Sequence, residues 1–600
     1  MPLQPFLVGT KNKSFIDGYT DDARNASANQ LCPPSINMNI TKTGECVTRL
    51  GYISSGINLS EANKAAEPFY VEQFDITFFA LGTKVKYYEW ANDAVYDTGI
   101  TLTDGEISRF EEYNGVVYVT NPTDGCYGFL VTRLNGAVAG GAATIVTDVA
   151  GAAVASAFDT QLSPGTKNLR IEGTNEQYAS ITVNTGTFTL SGTSSQAYND
   201  NDIAIVVYDL TSVIPKGSKI VAWKESLNLI GVSVDDTTGA GDRRETTMYF
   251  SQFATAATSE ASVTWSGGTA GSELVGKAGF IRNLLATRDY LYIFKEGETY
   301  FISIADVNAS TGARPPQLLS SNYGCINEDC AVDLGNGLVA FLTNNNRIIG
   351  IRIATDSGAA VVFPDESFDA PIRSILDDMD DVQSNPQMFY SKIERRMFVE
   401  IDVDGVRTTL KYNNEIGRWE PPDTGKAFRG YFERKGDLYA TDSGDDTIYE
   451  MGTGFQDNGN DIDFVSATPI IEFEDGRTTL NLADHKKDEE GGIELSGSIS
   501  ENTTVTVENI VNNGTPQKKT FDSTGISFAL ARSLGSVTLG DTTIGSSDGD
   551  IQFGDWDKKF GIYPVYGSNY QCVLSSIQPY TWKSYRLKAS ALTSPVLTLS

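Results

Sequence analysis

Tyr290 to Phe294 (YLYIF), then Glu296-Gly297, then Thr299 to Ile304 (TYFISI) read as two strands around a tight turn in which glycine supplies a positive φ. Three later passages repeat the sentence. They are Leu338 to Leu342 (LVAFL) with Arg347 to Ile353 (RIIGIRI), Met388 to Tyr390 with Met397 to Ile401 (MFVEI), and Leu438 to Thr441 (LYAT) with Thr447 to Tyr449 (TIY). Taking Asp289, Gly337, Pro386 and Asp437 as equivalent points, the intervals are 48, 49 and 51 residues. A period near 50 in an all-β region predicts propeller blades, each a small four-stranded sheet.

Earlier segments fit this pattern more loosely. Asn114 to Asn121 with Tyr127 to Val131, and Leu227 to Val234 with Thr246 to Ser251, bring the expectation to about six blades, and Thr83 to Trp90 could open a seventh. The competing reading is a chain of unrelated β-sandwiches. The predicted fold class is therefore mainly β: an irregular β-propeller with an α+β insertion and a C-terminal β-sandwich-like domain.

The expected domains follow from where the pattern starts and stops. Residues 1–70 carry little periodicity and read as an N-terminal arm that packs on another surface; 71–134 hold the first blades. Residues 135–225 begin with a small-residue run, continue as a helix over Val146 to Leu162 and strands such as Leu169 to Glu172, and end at Ile214-Pro215-Lys216-Gly217. This α+β insertion is expected to fold as its own module and to leave the propeller between two neighbouring strands. The remaining blades occupy 226–461. From 462 to 600 short Thr-, Ser- and Val-rich strands such as Thr503 to Glu508 (TTVTVE) suggest a sandwich.

Charge and length bound the function. With 77 acidic and 46 basic residues among 600, the net charge is −31, which disfavours a clamp that grips nucleic acid by neutralising phosphates. No strongly apolar stretch reaches the length of a spanning helix, so no stable membrane insertion is expected. Met1 to Phe15 lacks the pattern of a secretory signal, which points to synthesis in a cytoplasm. Six cysteines are too few and too scattered to staple the fold, and the five-residue spacing of Cys325 and Cys330 reads as two ordinary reduced thiols.

No motif supports catalysis: there is no GxSxG elbow, Walker lysine loop or HExxH. His485, the single histidine, lies in a charged loop, which leaves carboxylates as the abundant acid and base groups. A propeller glycosidase would need two of them converging in the central pocket. The loops Asp235-Asp236, Asp242, Asp402 to Gly405 (DVDG), Ser443 to Asp446 and Asp457 to Asp463 are rich in the oxygen ligands calcium needs; none has a full ligand set with a closing glutamate, and they read as turns. Asp377, Asp378, Asp380 and Asp381 read as a solvated stretch on a short helix, and Gly335-Asn-Gly337 as a turn ahead of a strand. The sequence thus assigns no catalytic, cofactor-binding or metal residue and singles out none that lines a DNA channel.

The order of parts resembles the tail nozzle proteins of short-tailed bacteriophages, also called tail tubular protein B or, in a related branch, the packaged DNA stabilisation protein of the tail hub. The resemblance rests on Gln30 to Tyr52 (QLCPPSINMNITKTGECVTRLGY) with its Asn37 and Arg49-Leu-Gly51, and on Thr147 to Phe158 followed by Asp209 to Val221 (DLTSVIPKGSKIV). Arg288 to Ile304 and Tyr585 to Leu599 add to it, and the sequence departs from the family in its acidic and Thr/Ser-rich stretch 484–556. What the resemblance implies is a structural virion protein of the phage tail, not an enzyme and without a cofactor. It would form a homohexamer below an adaptor ring, with tail fibres or spikes and a distal plug or needle as further partners. Genomic DNA would be retained and conducted through its lumen without sequence-specific binding. Acidic side chains are expected to outnumber basic ones along that path, because a wall that repels phosphate does not hold the duplex. The alternative is a β-propeller glycan hydrolase or glycan-binding adhesin.

Overall fold

The computed structural model describes residues 5–8 and 15–592, apart from 148–166, 172–176, 235–241, 254–264, 473–478, 482–491, 523–552, 561–565 and shorter gaps between. The chain is mainly β, laid out as a succession of small antiparallel sheets. Among the described residues five of these are four-stranded meanders and two six-stranded sheets contain the same four-stranded run, seven units in all against the expected six. The first comprises Phe69–Val71, Ile76–Leu81, Lys84–Glu89 and Ala94–Thr101, so the seventh unit suspected at Thr83 to Trp90 exists. The second comprises Arg109–Tyr113, Val116–Asn121, Gly125–Arg133 and Ile203–Asp209; the third Lys219–Trp223, Ser226–Ile230, Thr247–Phe250 and Gly271–Leu274. The fourth contains Ile281–Ala286, Tyr290–Lys295, Thr299–Ser303 and Gln317–Ser320; the fifth Ala331–Asp333, Leu338–Leu342, Ile348–Asp356 and Ala359–Asp365. The sixth runs Gln387–Ser391, Arg396–Val403, Val406–Asn413 and Arg418–Thr424. The seventh takes Tyr431–Arg434, Asp437–Thr441 and Thr447–Met451 from one end of the chain and Tyr52–Asn58 from the other.

Local chemistry explains these hairpins. Asn114-Gly115, Asp404-Gly405 and Lys435-Gly436 all have positive φ at both residues, the backbone that a two-residue turn between right-twisted strands requires. Ile76–Leu81, Val116–Asn121, Tyr290–Lys295 and Leu338–Leu342 are buried along their whole length, so they read as apolar runs instead of alternating ones.

Two expectations need correction. The four repeated passages do fall in four consecutive sheets, but Met388 to Tyr390 lies in a first strand, whereas Tyr290, Leu338 and Leu438 lie in second strands. The point equivalent to Asp289 and Gly337 in the sixth sheet is Arg395, just ahead of its second strand, which makes the true spacings uneven; a hairpin in any register of a meander resembles the next hairpin. Gly297 does not adopt a positive φ, and a Cβ there would meet nothing within 4 Å. The turn closes instead through the Glu298 carbonyl, which accepts from the Lys295 N–H at 2.8 Å.

The excursion from the second sheet spans 134–202. It leaves and returns through the paired strands Gly125–Arg133 and Ile203–Asp209, its neck closed by Leu134 N–H to the Asp202 carbonyl at 3.0 Å. Residues 203–225 belong to the second and third sheets instead. Lys167–Ile171 and Gln177–Ala179 extend the second sheet, and Thr144–Val146, Thr182–Asn184 and Thr187–Thr189 form a small sheet of their own. Val138, Ile145 and Phe188 share one core with Tyr118, Leu130 and Val206, so the excursion packs as part of the sheet it leaves. Val146 is in a strand, and most of the expected helix lies outside the described residues.

The described residues ahead of Tyr52 are also built in. Met38–Ile40 and Cys46–Thr48 pair with each other, and the latter pairs with Tyr580–Leu592, in a sheet with Pro5–Val8, Thr479–Asn481, Gly492–Ser500, Phe553–Phe560 and Tyr566–Gly567. A second terminal sheet holds Phe464–Ala467, Ile471–Glu472, Thr504–Val511, Gln517–Asp522 and Asn569–Ser576. Phe15, Met38, Val507 and Trp582 join Phe341, Val399 and Trp419 in one hydrophobic core. Among the described residues the single α-helix is Arg373–Asp377, and no helix is long and apolar enough to cross a membrane.

Candidate functional site

The first strands of the seven sheets adjoin one another in turn. Lys219–Trp223 packs against Arg109–Tyr113 and Ile281–Ala286, the latter against Ala331–Asp333, and that in turn against Gln387–Ser391. Phe389 stacks on Tyr431, Tyr431–Arg434 packs on Phe69–Val71, and the Ala66 N–H bonds the Ser108 carbonyl. Between them lies a cavity of about 660 Å³ lined by residues from all seven strands and the segments leading into them.

One end of this cavity is charged. Arg109 grips Asp329 with Nε and Nη2 at 2.6 and 2.7 Å, while its Nη1 donates to the Ser218 carbonyl at 3.1 Å. Lys219 Nζ donates to Asn283 Oδ1 and to the Glu328 carbonyl, both at 2.7 Å. Burial by itself would raise the Asp329 carboxyl, but Arg109, Lys219 and Arg429 outweigh it and hold the group below its usual range. Burial pushes Lys219 and Arg429 down.

Glu67 and Glu111 face the same cavity. Glu111 is half-buried, whereas Glu67 is exposed where it lines the cavity. Burial pushes the Glu67 carboxyl up to about 7, with Lys219 opposing and Asp329 adding to the rise. Burial likewise pushes Glu111 up to about 7, against the Ala222 N–H it accepts at 3.1 Å and against Lys219; Glu112 and Glu67 reinforce the rise. Two carboxyls that titrate near neutrality can exchange a proton with a bound molecule or balance a bound cation.

Sequence reading did not single out these residues. They come from separate sheets between residues 67 and 329, and a lone Glu or Lys at a strand start carries no motif. Their signal was positional: charged residues at the inner strand of consecutive repeats.

The loops rich in calcium-type oxygen ligands are turns where the structure describes them. Asp404-Gly405 closes the hairpin between Val403 and Val406, and Asp402 pairs with Arg407 at 3.2 Å. Asp445 Oδ1 accepts the Thr447 N–H, and Asp457 pairs with Arg49. Asp242 pairs with Val234 in a short hairpin, whereas Asp235, Asp236, Ser443 and His485 lie outside the described residues. Asp377, Asp378 and Asp381 are exposed, and Asp380 accepts the Gly405 N–H. Gly335 and Gly337 take positive φ in a turn closed by Leu338 N–H to the Gly335 carbonyl. Cys325 and Cys330 are free buried thiols, which burial pushes up, Cys325 to about 12. They bond the Asn327 and Pro386 carbonyls, both at 3.1 Å.

No family model matches the sequence, and no curated protein matches it. Among solved structures, the computationally designed Ika8 protein is 10% identical, with a TM-score of 0.32 over 67% of this chain and 99% of its own. BamB from Moraxella catarrhalis is 10% identical, with a TM-score of 0.31 over 74% and 97%. A chain of the mitotic checkpoint complex is 8% identical, with a TM-score of 0.33 over 68% and 93%. Likeness at this level carries no argument about function.

Proposed function

We propose that the seven repeated sheets are the blades of a β-propeller with a sandwich-like terminal domain against it. The chain is then a non-catalytic structural subunit of a phage tail nozzle, made in the host bacterial cytoplasm and assembled into the virion tail. The propeller reading is supported by the circuit of contacts among first strands, in which the seventh sheet returns to the first. The nozzle reading is carried by the sequence resemblance. One observation favours a structural part: Phe15 and Met38 from early in the chain and Trp582 and Tyr585 from late in it share one hydrophobic core with the fifth and sixth sheets.

In this reading six copies surround a lumen below an adaptor ring, with fibres or spikes and a plug as further partners. A cavity of about 660 Å³ inside one chain is far too small for a duplex, so the conduit runs between subunits. The surplus of 31 negative charges keeps that wall from holding phosphate. Solution mass and images of the particle tail test this. A ring of six 64.9 kDa chains, alone or on its adaptor, is expected; a chain that is monomeric alone and absent from imaged tails overturns it.

A second reading, the glycan hydrolase or adhesin, is favoured by Glu67 and Glu111 facing one cavity, as a pair of acid and base carboxyls would. Release of reducing sugar from a glycan panel, lost in Glu111→Gln, would select it.

A further inference from the structure

The cavity among the seven first strands presents more charged acceptors than it has donors to satisfy. Arg109 is engaged by Asp329 and the Ser218 carbonyl, and Lys219 by Asn283 and the Glu328 carbonyl. Glu111 receives the Ala222 N–H, while no hydrogen bond reaches the Glu67 carboxylate among the described residues. Elsewhere on the lining, Glu433 accepts from Ser391 Oγ and the Ile393 N–H, Asp333 accepts the Gly335 N–H, and Lys392 adds one cation. Glu67, exposed to the cavity, and Glu111, half-buried beside it, therefore line one concave space with their negative charge incompletely balanced.

The chemistry of what could balance them is narrow. An anion is repelled, and a neutral polyol supplies donors but no charge. A metal ion needs more ligands: among the described residues no group of three or more His, Cys, Asp or Glu is arranged to hold one. An organic ammonium meets all the terms, because it brings several N–H donors, a positive charge and a carbon chain. Phe110, Phe389 and Phe432 line the cavity and offer aromatic surface to such a chain and its charge. The acidic surface of the whole chain raises the local concentration of cations.

We propose that this cavity is a binding site for an organic ammonium ion, with Glu67 and Glu111 as its counter-charges. The site does not depend on the nozzle reading. Because burial holds both carboxyls near 7, the ammonium competes with protons. Glu67 and Glu111 also feel the neighbouring Lys219, Asp329 and Glu112.

Titration of the full chain with 1,4-diaminobutane, at constant ionic strength, tests the proposal by calorimetry. Saturable one-to-one binding is expected at pH 8, weaker by about ten-fold at pH 6, as follows from a carboxyl titrating near 7. Glu67→Gln and Glu111→Gln should each weaken it by about ten-fold or more while leaving the melting curve cooperative. Should either variant fail to fold, proton release by the unmodified chain decides: repeating the pH 7 titration in buffers of different ionisation heat should show protons displaced on binding. No saturable heat at pH 8, affinity unchanged in the folded variants, binding without proton release, or equal binding of glucose would each overturn it.

Discussion

Arg49 holds Asp457 with two nitrogens, Nη1 to Oδ1 at 2.8 Å and Nη2 to Oδ2 at 2.6 Å, across 408 residues of sequence. The same guanidinium donates from Nε to Asn37 Oδ1 at 3.2 Å, and the Asn37 amide bonds the Asp463 carbonyl at 2.8 Å. Both partners of the pair are nearly buried, with side chains 10% and 12% exposed. Breaking a buried pair leaves a desolvated charge behind, so Arg49→Ala should cost about 3–5 kcal/mol in urea unfolding. Arg49→Lys keeps the charge but loses the fork and should fall between. Wild-type stability in Arg49→Ala would show that the pair carries no load.

Two glycines separate backbone necessity from habit. A Cβ on Gly51 would lie 2.0 Å from the Gln456 carbonyl oxygen, whereas a Cβ on Gly297 would meet nothing. Gly51→Ala should destabilise by about 1–3 kcal/mol through forced backbone movement. Gly297→Ala should stay within about 0.5 kcal/mol of wild type. Thermal melts of the two variants side by side check the order, and its reversal would contradict the turn geometry described above.

Glu400 supplies a pH signature. Its side chain is 1% exposed; it accepts from Tyr431 Oη at 2.5 Å and from Thr409 Oγ1 at 3.0 Å. Burial lifts its carboxyl from 4.5 to about 7, against Arg407 and these donors. The folded state thus binds this proton more tightly than the unfolded chain. The group's contribution is fully present below about 4.5, declines as pH rises through the window, and is lost above about 7. Glu400→Gln keeps the acceptor without the titration. Relative to wild type it should gain about 1–3 kcal/mol between pH 4.5 and 8 in denaturant titrations. Parallel stability profiles for the two proteins would rule out Glu400 as the source.

Removing residues 136–200 behind a short Gly/Ser bridge tests how the excursion packs. Its neck is already closed, yet Ile145, Leu169 and Phe188 cover apolar side chains of the second sheet such as Tyr118 and Val206. We expect a protein that binds hydrophobic dye and melts at lower temperature, because the uncovered face is a contiguous apolar patch. A deletion variant as soluble and stable as the full chain would restore the view of an independent module.

The strand-rich character, the turns and the repeated sheets were legible in the sequence because a two-residue turn demands Asn, Asp or Gly wherever it occurs. The count of six left out the first sheet, of which only Thr83 to Trp90 stood out as a strand, and Tyr52–Asn58, which completes the last sheet, sits far from its partners and looks like part of an arm. The phase slipped at Met388 because each hairpin of a meander reads like its neighbour. Glu67, Glu111 and Lys219 were not legible as a group, since only the circuit of first strands brings them to one cavity.

Tyr52–Asn58 also sets a clock. The ribosome makes this strand early, but its partner Thr447–Met451 follows roughly 390 residues later. At 5–20 residues per second the early strand waits roughly 20–80 s with an unsatisfied edge. Until then the growing chain offers a free template to any passing strand. Correct completion therefore depends on how crowded the polysome is: closely spaced nascent chains can trade early strands, joining two molecules through each other's last sheet. Slower expression should reduce such interlocked pairs.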